Sequence, residues 1–375
     1  MSKSYAYLLA LTFIFNLSRS IWINLFPLYL DRIGLNIITI SVLSSLTLTL
    51  PLLFSGVTGY LADKWGARNS LLIAVVVNSL SLIILARFSS LTVIVTALVS
   101  LSVAISLYSQ IAISIVAKLN PGRRGEAYGL YYFSNQSSVM LGSFASGAII
   151  ALLTYSQLYL IASIVAIAGL PLALRLGVKE GVRREPTPSL IVKIFNSEEL
   201  RRLMYTVALH DFSAFIPGPF LPLFAKYVIG LNDSQVGFLY GVRGLGTIFF
   251  QLIGGKIADK LGPTRALASH IVCVSLSYFL YSLSRDYISA LSVMLFQGII
   301  VTLDMPARRS IIAEYAPESY VSSASGLTDM ITGLATIPSP VVGGLLWAVN
   351  PPLVFITASL LNGVSLLPLK GLKVK

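Results

Sequence analysis

Five ionisable residues interrupt long apolar stretches of this sequence. They are Arg19, Asp211, Arg243, Asp304 and Asp329. A charge in such a setting is costly, so each of these residues is a candidate for a functional site. A buried carboxylate without a basic partner can hold a proton, and a guanidinium suits a carboxylate or phosphate group. The five residues therefore predict binding of protons or of a charged solute.

The composition of the chain is that of a protein embedded in a lipid bilayer. Of its 375 residues, 55% are hydrophobic and only 11% are charged, whereas a soluble protein carries about 25% charged residues. Twelve apolar runs are long enough to cross a bilayer as helices. They lie at 5–30, 38–60, 69–87, 91–117, 127–152, 157–176, 203–229, 234–257, 265–283, 287–312, 322–348 and 353–369. The predicted fold class is an all-α polytopic membrane protein with twelve transmembrane helices.

The positive charge of the chain is distributed unevenly over the loops between these helices. The formal net charge is +12. One side of the membrane receives most of the lysines and arginines, whereas the other side receives Arg32, Arg87, Lys226 and Arg285. Because cytoplasmic loops are enriched in lysine and arginine, both termini are predicted to be cytoplasmic in a multi-pass protein of the cell membrane. The charge reflects this topology, so no nucleic-acid partner is expected.

The two halves of the sequence repeat each other. GYLADKWG at 59–66 matches GKIADKLG at 255–262. Each half contains six predicted spans, so both copies have the same orientation, as in repeats related by an axis along the membrane normal. The predicted domains are a six-helix bundle over 1–176, a cytoplasmic linker over 177–201 and a second six-helix bundle over 202–375.

The loop after the second predicted helix carries the most specific motif. It reads GYLADKWGAR, and it resembles motif A of the major facilitator superfamily, especially of its drug-efflux transporters. A degraded copy follows the eighth helix. The resemblance covers essentially the whole chain and implies two pseudo-symmetric six-helix bundles. It also implies that the two loops form a conformational latch, through Gly59, Asp63, Gly66, Arg68, Gly255, Asp259 and Gly262.

The same resemblance implies transport by alternating access through a cavity near the membrane midplane. In this family helices 1, 4, 7 and 10 line the cavity, and helices 2, 5, 8 and 11 flank it. In helix 1, Asn16, Arg19, Ser20 and Asn24 fall within an arc of about 140°, so this polar stripe is predicted to face protein or water. The uncharged residues expected to line the cavity are Asn16, Ser20, Asn24, Ser106, Gln110, Tyr132, Asn135 and Gln297.

The charges inside the predicted spans do not balance. Two arginines accompany three aspartates, so one carboxylate is expected to lack a basic partner. Asp211 is the predicted proton carrier, because its own helix offers no basic residue one turn away. The adjacent His210 points about 100° away around the helix, so the two are not expected to form one site. Asp304 precedes Arg308 by four residues, a spacing that favours a local ion pair.

Other classes of protein find no support in the sequence. The only cysteine is Cys273, and the only histidines, His210 and His270, do not suggest a metal site. No cofactor is expected. No phosphate-binding loop of the G-x-x-x-x-G-K-[ST] type is present, which argues against direct use of ATP. Without a clustered nucleophile or metal set, an enzyme is not predicted.

The predicted function is secondary active transport, with protons as the coupling ion and efflux of small lipophilic or cationic compounds. Uptake or exchange of organic anions or neutral nutrients is the alternative. Arg19 and Arg243 favour the anions, and helix 5 lacks the proline of the motif C that proton-driven drug antiporters usually carry. A transporter-like receptor is a more distant alternative. The expected partners are a small-molecule substrate, protons and the lipid bilayer, without an obligatory protein partner.

Overall fold

The computed structural model describes residues 3–119, 124–177, 197–316 and 321–372. Within these residues the chain consists of helices and short turns, with no β-strand. The first nine helices are α1 (Lys3–Trp22), α2 (Phe26–Arg32), α3 (Ile37–Leu53), α4 (Ser55–Trp65), α5 (Ala67–Arg87), α6 (Leu91–Leu119), α7 (Arg124–Leu152), α8 (Tyr155–Ile167) and α9 (Leu170–Arg175). The next ten are α10 (Glu198–Phe215), α11 (Phe220–Tyr227), α12 (Asp233–Leu261), α13 (Pro263–Leu283), α14 (Tyr287–Ile300), α15 (Asp304–Tyr315), α16 (Val321–Thr336), α17 (Ser339–Val349), α18 (Pro351–Val364) and α19 (Leu366–Leu369).

Each predicted membrane span overlaps one or two of these helices. Among the described residues, nine stretches are long and apolar enough to cross a membrane. The other three predicted spans correspond to α3 with α4, to α7 and to α12. The prediction of an all-α polytopic membrane protein is confirmed.

Proline explains why two of the spans are broken. α10 ends at Phe215 and α11 begins at Phe220, and Pro217 and Pro219 lie between them. α16 and α17 are separated in the same way at Pro338. Proline lacks an amide hydrogen and disfavours the helical conformation at the residue before it. A span can therefore change direction at these points without losing an otherwise regular helix.

The first of two compact units comprises Met1–Leu35, Leu46–Arg183 and Asn232–Gly244. Its core is built from side chains that are almost fully buried, among them Phe15 and Tyr108. The rings of these two residues are stacked, with 4.0 Å between their centroids. This contact holds α1 against α6.

The second unit comprises Asn36–Ser45, Arg184–Leu231 and Leu245–Lys375. It has a hydrophobic core of its own. Towards one end, Phe224 packs edge to face against Phe355, with 4.8 Å between the ring centroids. Most of the sequence-predicted linker lies outside the described residues.

Both copies of the repeated loop turn at a glycine with a left-handed backbone. Gly66 has a φ of 78° just before α5, and Gly262 has a φ of 79° just before α13. Only glycine adopts such values without a steric penalty, which explains the recurrence of glycine at this place in the motif. Asp63, Asp259 and Gly255, which belong to the predicted latch, lie outside the residues whose side chains the structure describes.

Two glycines of α7 have different surroundings, and this difference predicts different effects on stability. A Cβ on Gly147 would lie 2.8 Å from the Ser234 carbonyl oxygen and 3.0 Å from the Phe238 amide nitrogen, which are backbone atoms of α12. A Cβ on Gly129 would have no such neighbour within 4 Å. Gly147→Ala is expected to destabilise the protein by about 1–3 kcal/mol, because the facing backbone cannot give way easily.

Gly129→Ala is the matched control on the same helix. It is expected to be neutral or slightly stabilising, because alanine has the higher helix propensity. Thermal unfolding followed by circular dichroism measures both variants. Equal effects of the two substitutions would contradict close packing of α7 against α12.

Candidate functional site

Five polar and charged side chains converge inside the second unit. α10 contributes His210 and Asp211, α13 contributes His270, and α15 contributes Asp304 and Arg308. All five are buried or nearly so, with side-chain exposures between 3% and 17%. We call these five residues the charge cluster. Charges in such a place require partners within the protein.

Arg308 bridges the two carboxylates of the charge cluster. Its Nη1 donates to Asp211 Oδ2 at 2.8 Å and its Nη2 donates to Asp211 Oδ1 at 2.6 Å. Its Nε donates to Oδ1 of Asp304. A forked guanidinium can form all three bonds at once, which a lysine ammonium cannot do with the same geometry. The bridged group carries two negative charges and one positive charge.

Local sequence builds one half of this bridge. Asp304 is the first residue of α15, where a carboxylate interacts favourably with the positive end of the helix. Arg308 follows one turn later and lies on the same face. The other half of the bridge requires α10 to pack beside α15, because Asp211 lies 97 residues earlier in the chain.

The two histidines of the charge cluster face each other. His210 Nε2 and His270 Nε2 are 3.3 Å apart. His210 Nδ1 lies 2.6 Å from the side-chain oxygen of Asn362 on α18, and His270 Nδ1 lies 2.9 Å from the carbonyl oxygen of Ile300. Both rings are therefore held at their Nδ1 atoms while their Nε2 atoms point towards each other.

The same histidine atoms are close to the carboxylates. His210 Nε2 lies 3.8 Å from Asp211 Oδ1, and His270 Nε2 lies 4.0 Å from Asp304 Oδ1. Ligand atoms of His210, His270 and Asp304 thus fall within 4.8 Å of one another, a spacing that a metal ion could use. The Asp304 oxygen on this side already accepts the Arg308 hydrogen bond, however, so a bound cation would face a guanidinium. We assign no metal to the charge cluster.

Two expectations drawn from the sequence are wrong at this site. Asp211 does have a basic partner, because Arg308 reaches it from another helix. His210 and Asp211 do belong to one site, because the side chain of His210 reaches the Asp211 carboxylate despite the angle between their Cα–Cβ directions. The count of charges inside the predicted spans gave the wrong balance, because it left out Arg308 as a residue at the end of its helix. His270 is a polar residue within an apolar helix, and this was the sequence signal that could have revealed that its helix also contributes to the site.

The other predicted charges lie elsewhere. Asp329 Oδ2 accepts a hydrogen bond from Arg309 Nη2 at 2.8 Å, and the two side chains are 53% and 38% exposed. This pair is far more accessible to its surroundings than the charge cluster. Arg243 lies on α12 in the first unit and is partly buried. The predicted local pair between Asp304 and Arg308 is present.

Arg19 differs from Arg308 in having no counter-charge. Its Nε is buried and lacks a hydrogen-bond partner, and within the described part of the chain its side chain forms no ion pair with Asp or Glu. A fixed salt bridge between Arg19 and an aspartate therefore finds no support among these residues. An uncompensated guanidinium on α1 attracts an anionic group.

The uncharged residues that were expected to line a cavity have varied surroundings. Asn16 donates to the Thr12 carbonyl at 2.9 Å, Asn24 donates to Ser143 Oγ at 2.9 Å, and Ser106 shares a hydrogen bond with Thr58. Their hydrogen-bonding capacity is thus used in part within the first unit. By exposure, Asn16, Ser20, Ser106 and Gln297 are buried, Asn24, Gln110 and Asn135 are intermediate, and Tyr132 is exposed.

Comparison with known proteins identifies relatives along nearly the whole chain. The family model described as Major Facilitator Superfamily matches residues 8–203 and 203–372. The quinolone resistance protein NorA of Staphylococcus aureus is 25% identical over 144 residues, which is 38% of this chain and 37% of NorA. An uncharacterized MFS-type transporter of Methanocaldococcus jannaschii is 25% identical over 271 residues, 67% of this chain and 65% of that protein. The chain thus matches only about a third of the length of NorA.

Solved structures support the fold over a longer range. A POT family transporter in complex with 5-aminolevulinic acid has a TM-score of 0.84 at 14% identity, covering 98% of this chain and 95% of that chain. A peptide transporter POT in complex with sulfate has a TM-score of 0.81 at 15% identity, with 99% and 94% coverage. At this level of identity the likeness concerns the fold alone.

Proposed function

The chain belongs to the Major Facilitator Superfamily of membrane transporters, and we propose that it is a proton-coupled exporter of small lipophilic or cationic compounds. The proposal includes the sequence-based orientation, with both termini on the cytoplasmic side of the cell membrane. It rests on one observation above all. The charge cluster is buried and holds two carboxylates but a single guanidinium, beside two imidazoles.

This arrangement suits reversible binding of a proton. The Asp211, Arg308 and Asp304 group has a net charge of −1 when both carboxylates are ionised, and buried net charge is unfavourable. One proton bound within the charge cluster removes that charge. Its release restores the charge and alters the balance of attractions among α10, α13 and α15. A proton gradient is thereby linked to the conformation of the helices that carry the charge cluster.

The direction and substrate class of the proposal draw on similarity to known transporters. The loop from Gly59 to Arg68 matches motif A as drug-efflux transporters carry it. A curated relative is named for quinolone resistance. Both features favour export of small lipophilic compounds over uptake.

Transport by purified protein in lipid vesicles tests this function. An imposed pH gradient should drive accumulation of a fluorescent lipophilic cation, and Asp211→Asn should reduce that accumulation by roughly tenfold or more, a usual size for coupling between two bound ligands. The reason is that asparagine removes one charge of the charge cluster and with it the need for the neutralising proton.

Asp286→Asn is the matched control. Asp286 is exposed at the start of α14, and its pKa lies below the usual value because the backbone amide of Ser289 donates to its carboxylate. Asparagine caps a helix equally well, so this variant should transport like the parent protein. Accumulation that ignores the pH gradient in the parent protein, or that survives in Asp211→Asn, would contradict proton coupling through the charge cluster.

A second candidate function is exchange or uptake of compounds with an anionic group. The observation that favours it is the Arg19 side chain, whose buried Nε lacks a hydrogen-bond partner and which forms no ion pair within the described residues. In this case Arg19 would bind a carboxylate or phosphate of the substrate.

A further inference from the structure

We infer that the coupling proton is held between His210 Nε2 and His270 Nε2, as one proton shared by two imidazoles, and not on a carboxylate. This inference rests on the proposed proton coupling and identifies the proton-binding atoms within the charge cluster. Four features carry it: the hydrogen-bond directions at the Nδ1 atoms, the distance between the Nε2 atoms, the surrounding charges and the burial of both rings.

The hydrogen bonds at Nδ1 determine which ring nitrogens carry hydrogen. A backbone carbonyl only accepts, so His270 Nδ1 must donate to the Ile300 oxygen. The Asn362 amide nitrogen donates to the Ile271 carbonyl at 3.0 Å, which directs its oxygen towards His210. His210 Nδ1 therefore donates to Asn362 Oδ1. In both rings the Nδ1 hydrogen is committed, and Nε2 is the remaining proton acceptor.

Two such acceptors in contact require a proton between them. With both rings neutral, the Nε2 atoms at 3.3 Å would direct two lone pairs at each other. One added proton converts this contact into an N–H donor facing a nitrogen acceptor. A second proton would place two positive imidazoliums in contact. The geometry therefore favours one proton over none or two.

The surrounding charges also favour a single proton on the histidine pair. From α10 the histidines face Asp211, and from α15 they face Asp304 and Arg308. α18 contributes the neutral amide of Asn362 and has no titratable residue of its own. On α16 the one titratable residue with a described side chain is Asp329, which is hydrogen-bonded to Arg309. The facing charges sum to −1, and one shared proton makes the whole charge cluster neutral.

The carboxylates are poorer proton holders in this arrangement. Both oxygens of Asp211 accept bonds from Arg308, and Asp304 Oδ1 accepts a third. A proton on either carboxylate would displace or weaken a charge-assisted hydrogen bond. A proton on the histidine pair leaves all three bonds in place. Both histidine side chains are almost completely buried, with 4% and 3% exposure, so the shared proton is shielded from bulk water.

The composition of the chain makes a direct test feasible. His210 and His270 are its only histidines, so protein labelled with ¹⁵N-histidine and purified without a polyhistidine tag gives signals from these two rings alone. In nanodiscs, with a chelator present, both Nδ1 atoms are expected to stay protonated across the titration. The two Nε2 signals should shift together, with uptake of one proton per chain. Two independent titrations, or two neutral rings throughout the range in which transport is coupled, would overturn the inference.

Substitution of one ring supplies the functional readout. His270→Asn is expected to lower gradient-driven accumulation by roughly tenfold, within the usual range for coupled sites, while substrate exchange at equal pH changes by less than about twofold. His210→Asn should behave alike, which guards against a folding defect peculiar to one variant. Ser359→Ala, which removes a hydrogen bond between α18 and α13 outside the charge cluster, should leave both readouts unchanged. Full gradient-driven accumulation in both histidine variants would also overturn the inference.

The two experiments separate failure of the inference from failure of the proposed function. If the parent protein transports without regard to the pH gradient, the proposed proton coupling fails, whatever the histidine signals show. If transport by the parent protein is coupled but the ring signals show no shared proton, the coupling stands and the proton lies on a carboxylate.

Discussion

Replacing Arg308 with leucine is expected to destabilise the protein by about 3–5 kcal/mol, the range measured when one partner of a buried ion pair is removed. The reason is that Arg308 neutralises two buried carboxylates at once. Without it, Asp211 and Asp304 would remain as unpaired charges in the interior of the second unit. Chemical or thermal unfolding in detergent, followed by circular dichroism, measures the loss.

The neighbouring residue provides the matched control. Arg309 also forms an ion pair with an aspartate, but the side chains of Arg309 and Asp329 are 38% and 53% exposed. Exposed pairs contribute about 0–1 kcal/mol, so Arg309→Leu should have a small effect. Two adjacent arginines on one helix, each paired with aspartate, are therefore expected to differ several-fold in their contribution to the free energy of unfolding.

A compensated variant distinguishes lost charge balance from lost packing. Removing all three charges, with Asp211→Leu and Asp304→Leu added to Arg308→Leu, replaces a buried ionic group with apolar side chains. Such replacements are often neutral or stabilising. The triple variant should therefore recover most of the stability lost in the single variant, although it should not couple transport to protons. A triple variant as unstable as Arg308→Leu would show that packing of the arginine stem is the dominant contribution.

Replacing Arg19 with methionine is expected to have the opposite effect on stability. Arg19 is a partly buried residue whose Nε is buried without a hydrogen-bond partner, and within the described residues its side chain forms no ion pair. A charged residue at the centre of a transmembrane helix costs about 2.5–3.5 kcal/mol, so Arg19→Met should stabilise the protein by about that amount. A gain in stability on removal of this charge is expected if Arg19 serves binding of a ligand and not folding.

The same variant tests whether Arg19 binds an anionic group of the substrate. Organic carboxylates and their methyl esters form matched pairs that differ in one charge. In the parent protein the carboxylates should compete for transport better than the esters. Arg19→Met should reduce this preference roughly tenfold or more, in keeping with the cost of losing a charged hydrogen bond. Arg19→Lys keeps the charge but loses the planar fork, so it should retain part of the preference. A destabilised Arg19→Met variant with an unchanged preference would assign Arg19 a structural role.

The fold of this protein could be predicted from its sequence in most respects. The low charge content and the twelve apolar runs leave only a helical membrane protein, because backbone groups in lipid must satisfy one another within a helix. The glycine at position 66 and its counterpart at 262 indicated a repeated turn, which the structure confirms through their left-handed backbones. Such features are local, and local sequence is sufficient to specify them.

The candidate site was predictable only in part. The pair between Asp304 and Arg308 followed from a spacing of four residues on one helix. The bond between Arg308 and Asp211 did not, because no sequence pattern specifies which helices pack side by side. The contact between the two histidines did not follow either, because they lie 60 residues apart in the chain and on different helices.

The sequence by itself determined that the chain crosses a membrane as helices, that its halves repeat and that several charges lie where lipid would exclude them. Those properties depend on composition and on short-range spacing. Only the tertiary structure decided which charges neutralise one another, leaving Arg308 shared between two carboxylates and Arg19 without an acidic partner in the described residues. The physical reason is that electrostatic interactions act over a few ångströms in space, and helix packing sets those distances between residues far apart in the chain.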